Sequence, residues 1–245
     1  MNLRSCPAAP VMIVVAMPEE AAPFLGMDPA GGQDRPYIKA GATVHRLTIC
    51  GRSVMLVQSG VGLVNAAIAA TVTAEPYLAP ETRLAAIISA GTAGGLGVGI
   101  RVGDVVVGET YRYTDADTQV FGYALGQIPS MPAAYCADEA LMAAARGAGV
   151  LSFPDARVHI GPMVSGDSFV AGDIATAVRA NFPDALSVDM ESTALAQTAY
   201  RLGVPFLSVR GISDLVDAGE FADRVTDAAT RSATIVAEIL RSPAP

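Results

Sequence analysis

Residues 83–95, RLAAIISAGTAGG, carry an apolar run directly into a cluster of glycines. The run at 83–90 has the length and composition of a buried strand. The glycines at 91–95 follow it where an α/β sheet places its ligand loops, although such a cluster is equally typical of a tight turn. A second run, VMIVVA at 11–16, ends at Met17-Pro18-Glu19-Glu20 and predicts another buried strand that leads into a polar loop.

The same alternation of apolar strands and helical segments continues to the end of the chain. We predict further strands at 43–50, 53–58, 104–108, 158–165, 186–189 and 205–210, helices at 63–78, 138–147, 173–181, 190–202 and 220–240, and a long loop at 111–131. Because the strands are too continuously apolar to be half exposed, we expect a single-domain, three-layer α/β/α sandwich around a mixed β-sheet. Residues 1–10 are then an N-terminal extension and residues 11–245 the domain.

The composition limits the partners and the compartment of this chain of 245 residues, of which 51% are hydrophobic and 16% charged. A formal net charge of −8 gives nucleic acids and anionic membranes no electrostatic reason to approach. The uncharged stretches at 53–74 and 84–100 contain polar residues or glycines, so we expect them to be buried rather than membrane-spanning. Cys6, Cys50 and Cys136 form no CxxC pair, which favours neither a metal site nor a disulfide and fits a reducing cytoplasm.

Polar and aromatic side chains follow the predicted strands at the points where the strands end. Open α/β sheets bind their ligands at this edge, so these side chains are candidates for a single site. Each of them alone is more often a helix cap, a solvated charge or a core residue. The candidates are Glu20, Thr92, Phe169, Asp189, Glu191 and Asp214. Gly60-Val61-Gly62 also follows a strand, but no acidic residue lies at the offset of a dinucleotide-binding motif.

Longer motifs surround these candidates. They are Ala16-Met17-Pro18-Glu19-Glu20, Ser59-Gly60-Val61-Gly62, Gly91-Thr92-Ala93-Gly94-Gly95-Leu96, Asp115-Ala116-Asp117 with Phe121-Gly122-Tyr123, Ser165-Gly166-Asp167-Ser168-Phe169, Val188-Asp189-Met190-Glu191 and Val209-Arg210-Gly211-Ile212-Ser213-Asp214. In this order they resemble the 5′-methylthioadenosine/S-adenosylhomocysteine nucleosidases, within the wider nucleoside phosphorylase superfamily. The resemblance implies a phosphorylase-like fold and hydrolysis of the N-glycosidic bond of either nucleoside to adenine and the 5′-thioribose, with no metal or other cofactor.

The resemblance implies catalytic roles at both ends of the site. Asp214 matches the general acid that protonates adenine N7 and so makes adenine a better leaving group. Ser213 would hold Asp214 in position. Glu20 matches the residue that orients and deprotonates the attacking water, and Arg210 and Thr92 would help to anchor that water. Two carboxylates commonly suffice for glycosidic hydrolysis, so the absence of histidine from these motifs is no obstacle.

The resemblance also implies which residues bind the base and the ribose. Glu191 would accept hydrogen bonds from both ribose hydroxyls, which suits the two oxygens of a carboxylate. Phe169 would stack on the purine, and the backbone of Val170 would contact its Watson–Crick edge. Further positions that match the lining of this region are Ala93, Gly94, Asp189 and Met190.

The 5′ end of the substrate would meet an apolar wall that two subunits share. Met17, Val61 and Phe221 match the family positions around the 5′-thio substituent. The loop at 111–131 would reach into the neighbouring site, so the resemblance predicts a homodimer. The contributing positions would be Thr118, Phe121, Tyr123 and Pro129 of the partner subunit.

Some positions depart from the family's pattern. Pro18 replaces an acidic residue, and Thr92 stands where serine is typical but keeps the hydroxyl. Asp189 replaces a glutamate, which leaves its role beside the ribose open. The segment between Asp214 and Phe221 is shorter than usual, which leaves the 5′ pocket open as well.

Three alternatives follow from the same residues. A sister purine nucleosidase would share most of this scaffold and differ in its substrate. A purine nucleoside phosphorylase would need to bind phosphate, which Glu19 and Glu20 would repel. A non-catalytic nucleoside-binding protein is expected to have lost Glu20 or Asp214, and both are present.

Overall fold

The computed structural model describes residues 9–28, 35–79, 82–149, 153, 155–216 and 221–242, with the backbone alone at 149 and 221–223. The strands are β1 (Val11–Val15), β2 (Tyr37–Lys39), β3 (Ala42–Ile49), β4 (Arg52–Gln58), β5 (Ala86–Gly95), β6 (Val105–Tyr113), β7 (Tyr135–Cys136), β8 (Val158–Ser165), β9 (Ser187–Asp189) and β10 (Phe206–Asp214). The helices are α1 (Pro18–Leu25), α2 (Leu63–Ala74), α3 (Glu139–Gly149), α4 (Gly172–Asn181), α5 (Ser192–Leu202) and α6 (Phe221–Arg241). Most of the predicted extension at 1–10 lies outside the described residues, so that domain boundary stays a prediction.

The strands form one mixed sheet in the order β10-β6-β8-β9-β5-β1-β4-β3-β2, with β7 beside β6. β1 is parallel to both β4 and β5, whereas β10 is parallel to β5 and antiparallel to β6. Since β10 also pairs with β5, the strands β5, β10, β6, β8 and β9 close into a ring. The remaining strands extend from that ring as an open sheet.

Helices cover both faces of this sheet, as the sequence predicts. Neighbouring strand residues alternate between two cores, because successive side chains of a strand point to opposite faces. Ile13 and Ile88 belong to the core under α1, α3 and α6. Met12 and Ile87 belong to the core under α2 and α5. The three-layer α/β/α sandwich is therefore confirmed.

Two strands continue further than the sequence indicates. β5 runs through the glycine cluster to Gly95, and β10 runs through to Asp214, so the strand ends predicted at Ala90 and Arg210 are wrong, as is the tight turn that was one of two interpretations of the cluster. The two strands pair along these extensions, with Arg210 opposite Gly91 and an irregularity just before Asp214. Thr92 and Asp214 consequently lie on paired strands rather than in separate loops.

The polar segment after β1 is helical, although a loop was predicted there. The predicted loop at 17–20 is the start of α1, with Pro18 in its first turn. Proline suits that position because the missing N–H would have no partner within the helix. The eight-residue helix is too short and too rich in proline for its periodicity to stand out.

The predicted loop at 111–131 is shorter than expected because Tyr111 and Tyr113 belong to β6. Tyr111 is fully buried, donates its hydroxyl to the Gly108 carbonyl at 2.7 Å and accepts from the Ser208 amide at 2.8 Å. These bonds tie β6 to β10 inside the ring. Within the described ranges, no helix combines the length and apolar character needed to cross a membrane.

Candidate active site

A cavity of about 210 Å³ lies where β1, β5, β8, β9 and β10 end. Its lining brings together predicted residues from all of these strand ends, namely Met17, Glu20, Val61, Thr92, Ala93, Gly94, Phe169, Val170, Asp189, Met190, Glu191, Ser213 and Asp214. Ala16, Ser168, Val188 and Val216 also line it and were not predicted. The first three belong to the motifs that carry the resemblance, but no role was predicted for them.

Glu20 is held at one end of the cavity by several donors. Its Oε2 accepts from the backbone amides of Ala16 at 2.8 Å and Met17 at 3.2 Å. Its Oε1 accepts from the amide of Thr92 at 2.8 Å and from the Thr92 hydroxyl at 3.0 Å. The carboxylate is buried, and these bonds fix its orientation toward β5.

Gly91 makes this arrangement possible. A Cβ atom at this position would lie 2.4 Å from Glu20 Oε1 and 2.8 Å from an Arg210 Nη1 atom. Any side chain would therefore displace the carboxylate or the guanidinium. The glycine cluster serves this close approach, which its composition alone did not distinguish from a turn.

Arg210 lies behind the cavity rather than on its surface, and it is almost completely buried. Its Nε atom is 2.8 Å from Asp189 Oδ2, and its Nη2 atom is 3.5 Å from Glu191 Oε2. Burial lowers the pKa of Arg210, but the charges of Asp189, Glu191 and Glu20 outweigh that effect and raise it above its ordinary value. Arg210 is therefore a fixed positive charge beneath the site.

Glu191 follows β9 and occupies the middle of the cavity. Its Oε1 accepts from the amide of Gly62 at 2.9 Å, at the start of α2. Burial raises the pKa of Glu191 to about 7, the charges of Asp189 and Glu20 raise it too, and Arg210 and the Gly62 amide oppose the rise. The cavity thus holds a carboxyl group whose pKa is raised toward neutrality.

Asp214 lies at the other end of the cavity, where β10 ends. Ser213 Oγ donates to its Oδ2 at 2.9 Å, as the sequence predicts, and the Val216 amide donates to its Oδ1 at 2.8 Å. Val216 adopts a φ of +59°, which is unusual for a β-branched residue. Its side chain packs so closely on Gly94 that a Cβ there would lie 2.8 Å from Val216 Cγ1. Val216 therefore holds the Asp214 carboxylate with its amide, and it forms part of the cavity wall.

The predicted base-binding residues lie beside Asp214. Phe169 lines the cavity and is 52% exposed, so it is not a core residue. Val170 is buried next to it in the chain, and Met190, directly after β9, also lines the cavity. An exposed aromatic ring at the mouth of a cavity is suited to stacking on a planar base.

Four further predicted positions, all in the segment after β6, are not among the described residues that line the cavity of the same subunit. These positions are Thr118, Phe121, Tyr123 and Pro129. The Thr118 hydroxyl donates to the Gln127 carbonyl at 3.0 Å, and Phe121 is 76% exposed. The side chain of Phe221 lies outside the described residues.

Comparison with known proteins identifies the class of protein that this fold and site define. Residues 10–241 match the family model described as the phosphorylase superfamily, so the chain belongs to that superfamily. A 5′-methylthioadenosine/S-adenosylhomocysteine nucleosidase of Staphylococcus carnosus is 41% identical over 197 residues, which are 78% of this chain and 82% of the relative. Within the superfamily, the chain thus belongs to the family of these nucleosidases.

Solved structures agree with this assignment. The nucleosidase of Neisseria meningitidis in complex with methylthio-immucillin-A has a TM-score of 0.87 and 35% identity, covering 95% of this chain and 99% of that one. The nucleosidase of Colwellia psychrerythraea in complex with adenine has a TM-score of 0.88 and 31% identity, covering 95% and 94%. The similarity extends over almost the whole chain in both cases.

Proposed function

We propose that the protein hydrolyses the N-glycosidic bond of 5′-methylthioadenosine and S-adenosylhomocysteine and releases adenine. The observation that carries this proposal is that two carboxylates, Glu20 and Asp214, line the same cavity. Relatives of known structure bind adenine or methylthio-immucillin-A. This chain belongs to the same family as these relatives.

Asp214 supplies the proton that the departing base needs. As the C–N bond breaks, adenine N7 takes a proton from Asp214 and the sugar develops oxocarbenium character. Ser213 and the Val216 amide fix the two oxygens of the carboxyl group, so the proton is presented in one direction. Phe169 stacks on the purine and holds N7 within reach.

Glu20 activates the water that attacks C1′. Its Oε1 accepts from the amide and the hydroxyl of Thr92, and the hydroxyl hydrogen can rotate away so that a water in the cavity takes its place on Oε1. The water donates one proton to Glu20, and its oxygen forms the new bond to C1′ as the base departs. Arg210 lies behind the cavity, and its positive charge stabilises the negative charge of the Glu20 carboxylate.

The same geometry disfavours phosphate as the nucleophile. Phosphate is commonly bound by backbone amides at a helix N-terminus. Here the amides of Ala16 and Met17 at the start of α1, and the amide of Thr92, already bind the carboxylate of Glu20. A phosphate dianion would lose these donors and meet a like charge. Hydrolysis therefore fits this site better than phosphorolysis.

The recognition of the sugar follows from Glu191 and the apolar wall. An ionised Glu191 accepts hydrogen bonds from both ribose hydroxyls, since its Oε1 and Oε2 retain lone pairs. Met17 and Val61 line the 5′ side and present neither charge nor hydroxyl. A methylthio group gains about 0.8 kcal/mol per buried methyl-sized group, whereas a hydroxyl without a partner costs about 1–3 kcal/mol.

We also propose that the active form is a homodimer in the cytoplasm. α2 exposes Val64 and Ile68 toward solvent, and the segment after β6 exposes Phe121. A second subunit that covers these side chains would bring Phe121 of the partner subunit to the 5′ end of the site. The cysteine pattern supports a reducing compartment.

The test is adenine release from methylthioadenosine, S-adenosylhomocysteine, adenosine and AMP, each with and without phosphate. We expect release without phosphate, and a preference for methylthioadenosine over adenosine of about 10- to 100-fold in kcat/KM. AMP should be the poorest substrate, because no described cation lines the cavity to pair with its phosphate. Adenosine or AMP as the best substrate would assign the chain to a sister nucleosidase activity instead.

A further inference from the structure

Asp189 connects the ribose end of the cavity to the water end. Its Oδ1 accepts from Ser165 Oγ at 2.5 Å, from the Ser192 amide at 3.0 Å and from the Glu191 amide at 3.2 Å. Its Oδ2 is 2.8 Å from Arg210 Nε and also accepts from the Ser192 hydroxyl. A carboxylate has about four lone-pair directions, and these donors occupy them. With five donors on its two oxygens, Asp189 is poorly placed to accept a further hydrogen bond from a ribose hydroxyl, although it lines the cavity.

The two oxygens of Asp189 position different parts of the site. The bonds to Oδ1 fix the backbone at the start of α5, directly at Glu191. The bond to Oδ2 fixes the guanidinium of Arg210, whose Nη1 atom also donates to the Thr92 carbonyl at 3.4 Å. Thr92 in turn holds Glu20. Asp189 thus orients two parts of the site. It holds the backbone at Glu191 directly, and through Arg210 it holds Thr92 on β5, the residue that binds Glu20.

We propose that Asp189 is a positioning residue for glycosidic hydrolysis, which holds Glu191 and Arg210 in one fixed geometry. This proposal rests on the proposed function of the same cavity. Asp189 lines the cavity, but its carboxylate oxygens are directed at Ser165, Ser192, Arg210 and the Glu191 amide, so it acts through these partners. Its contribution should appear in the turnover number and in the protonation of Glu191 rather than in base recognition.

The charges around Glu191 give this proposal a specific signature. The groups that face it are Arg210 on β10, Asp189 on β9 and Glu20 on α1, together with the Gly62 amide. Loss of the Asp189 charge removes one group that raises the pKa of Glu191 and leaves Arg210 with one neutralising partner fewer. Both effects lower the pKa of Glu191. The acid limb of kcat/KM, which follows ionisation of Glu191, should then move to lower pH.

The decisive variant is Asp189→Asn, because the amide separates the two jobs. Its carbonyl oxygen can still accept from Ser165 and the start of α5, whereas its NH₂ group would face the Arg210 Nε–H donor. We expect a folded protein whose kcat falls about 10- to 100-fold and whose acid limb moves to lower pH. Its affinity for free adenine should be unchanged. Asp189→Glu keeps the charge, so its acid limb should stay at the wild-type position.

Ser165→Ala is the matched control, since it removes a donor to Oδ1 without touching Arg210. It should lower Tm and leave the acid limb in place. Asp189→Asn with wild-type kcat and an unmoved acid limb, or with a limb moved to higher pH, would overturn the proposal. Binding of a C-nucleoside analogue, which cannot be hydrolysed, should show the same pH shift. An inactive wild type would therefore refute the proposed function while analogue binding still decides the role of Asp189.

Discussion

Single residues in this cavity do chemistry because their surroundings leave them one orientation. Glu20 is bound by backbone amides on one oxygen and by Thr92 on the other, whereas its neighbour Glu19 is exposed. Asp214 is fixed by Ser213 and by the amide of Val216. Sequence motifs identify Glu20 and Asp214, but the donors that orient them are mostly backbone groups. Backbone groups carry no residue-specific signal, which is why Val216 was not predicted.

Asp214→Asn and Glu20→Gln should each lower kcat by about 10²–10⁴-fold, a range typical of general acids and bases. An asparagine in place of Asp214 cannot deliver the N7 proton, and a glutamine in place of Glu20 cannot take a proton from water. Steady-state kinetics on methylthioadenosine measure both. Glu19→Gln is the matched control for Glu20 and should remain within about twofold of the wild type. A rate near that of the wild type in either active-site variant would remove that residue from the mechanism.

Glu191→Gln should change how the stability of the empty protein depends on pH. The carboxyl group has an ordinary pKa of 4.5 and a folded pKa of about 7, so the folded state binds the proton more tightly. Wild-type stability is then lost as the pH rises from about 4.5 to 7, and the neutral glutamine escapes this loss. From pH 5 to pH 8, the free energy of unfolding of Glu191→Gln should rise relative to that of the wild type by about 1–3 kcal/mol, and its Tm should rise relative to the wild-type Tm accordingly. A difference that is constant with pH would contradict the raised pKa.

Secondary-structure elements matter here mainly through their ends. The interior of β8 and the helices on both faces could be predicted, because apolar periodicity is a local property of the sequence. The ends of β5 and β10 could not, because the glycines at 91–95 pair with β10 and β9, two strands that lie far away in the sequence. The first turn of α1 was hidden by its prolines. The predicted site residues nevertheless converge, since each motif lies beside a strand end that the topology brings to one edge.

The start of α2 depends on a neighbouring loop in a way that can be tested. The Leu63 amide donates to Asp167 Oδ1 at 2.8 Å, one residue after the Gly62 amide that binds Glu191. Asp167→Ala should cost about 0.5–2 kcal/mol of stability, as loss of a helix cap does, and raise KM several-fold with little change in kcat. Asp173→Ala, at the exposed start of α4, is the control and should leave KM unchanged. If kcat of Asp167→Ala fell by as large a factor as KM rose, this turn would serve the chemical step and not only substrate binding.

The whole molecule combines a closed ring of strands with an apolar outer surface. The ring formed by β5, β10, β6, β8 and β9 places Asp214 and Thr92, the residue that holds the Glu20 carboxylate, on paired strands. Met17 and Val61, the two described residues that we propose for the 5′ side, line the cavity at its edge and are apolar. The exposed Phe121 and the exposed face of α2 fit a second subunit that completes this side. Such residues are recognisable in the sequence only through the family resemblance, because an exposed apolar side chain has no pattern of its own.

Light scattering should therefore find a dimer at assay concentration. Val64→Asp on α2, which is 65% exposed, should weaken dimerisation and raise KM for methylthioadenosine together. Val98→Asp is the matched control, because Val98 is fully exposed in a turn beyond β5. A wild-type monomer with full activity would refute the shared 5′ wall.

The central claim is that water, activated at Glu20, attacks the sugar while Asp214 protonates the base. Turnover of methylthioadenosine in ¹⁸O-labelled water containing phosphate tests it most directly, with mass spectrometry of the sugar product. If water is the nucleophile, we expect one ¹⁸O atom at C1′ of free methylthioribose and no sugar 1-phosphate. A sugar 1-phosphate without the label would contradict it and identify phosphate as the nucleophile.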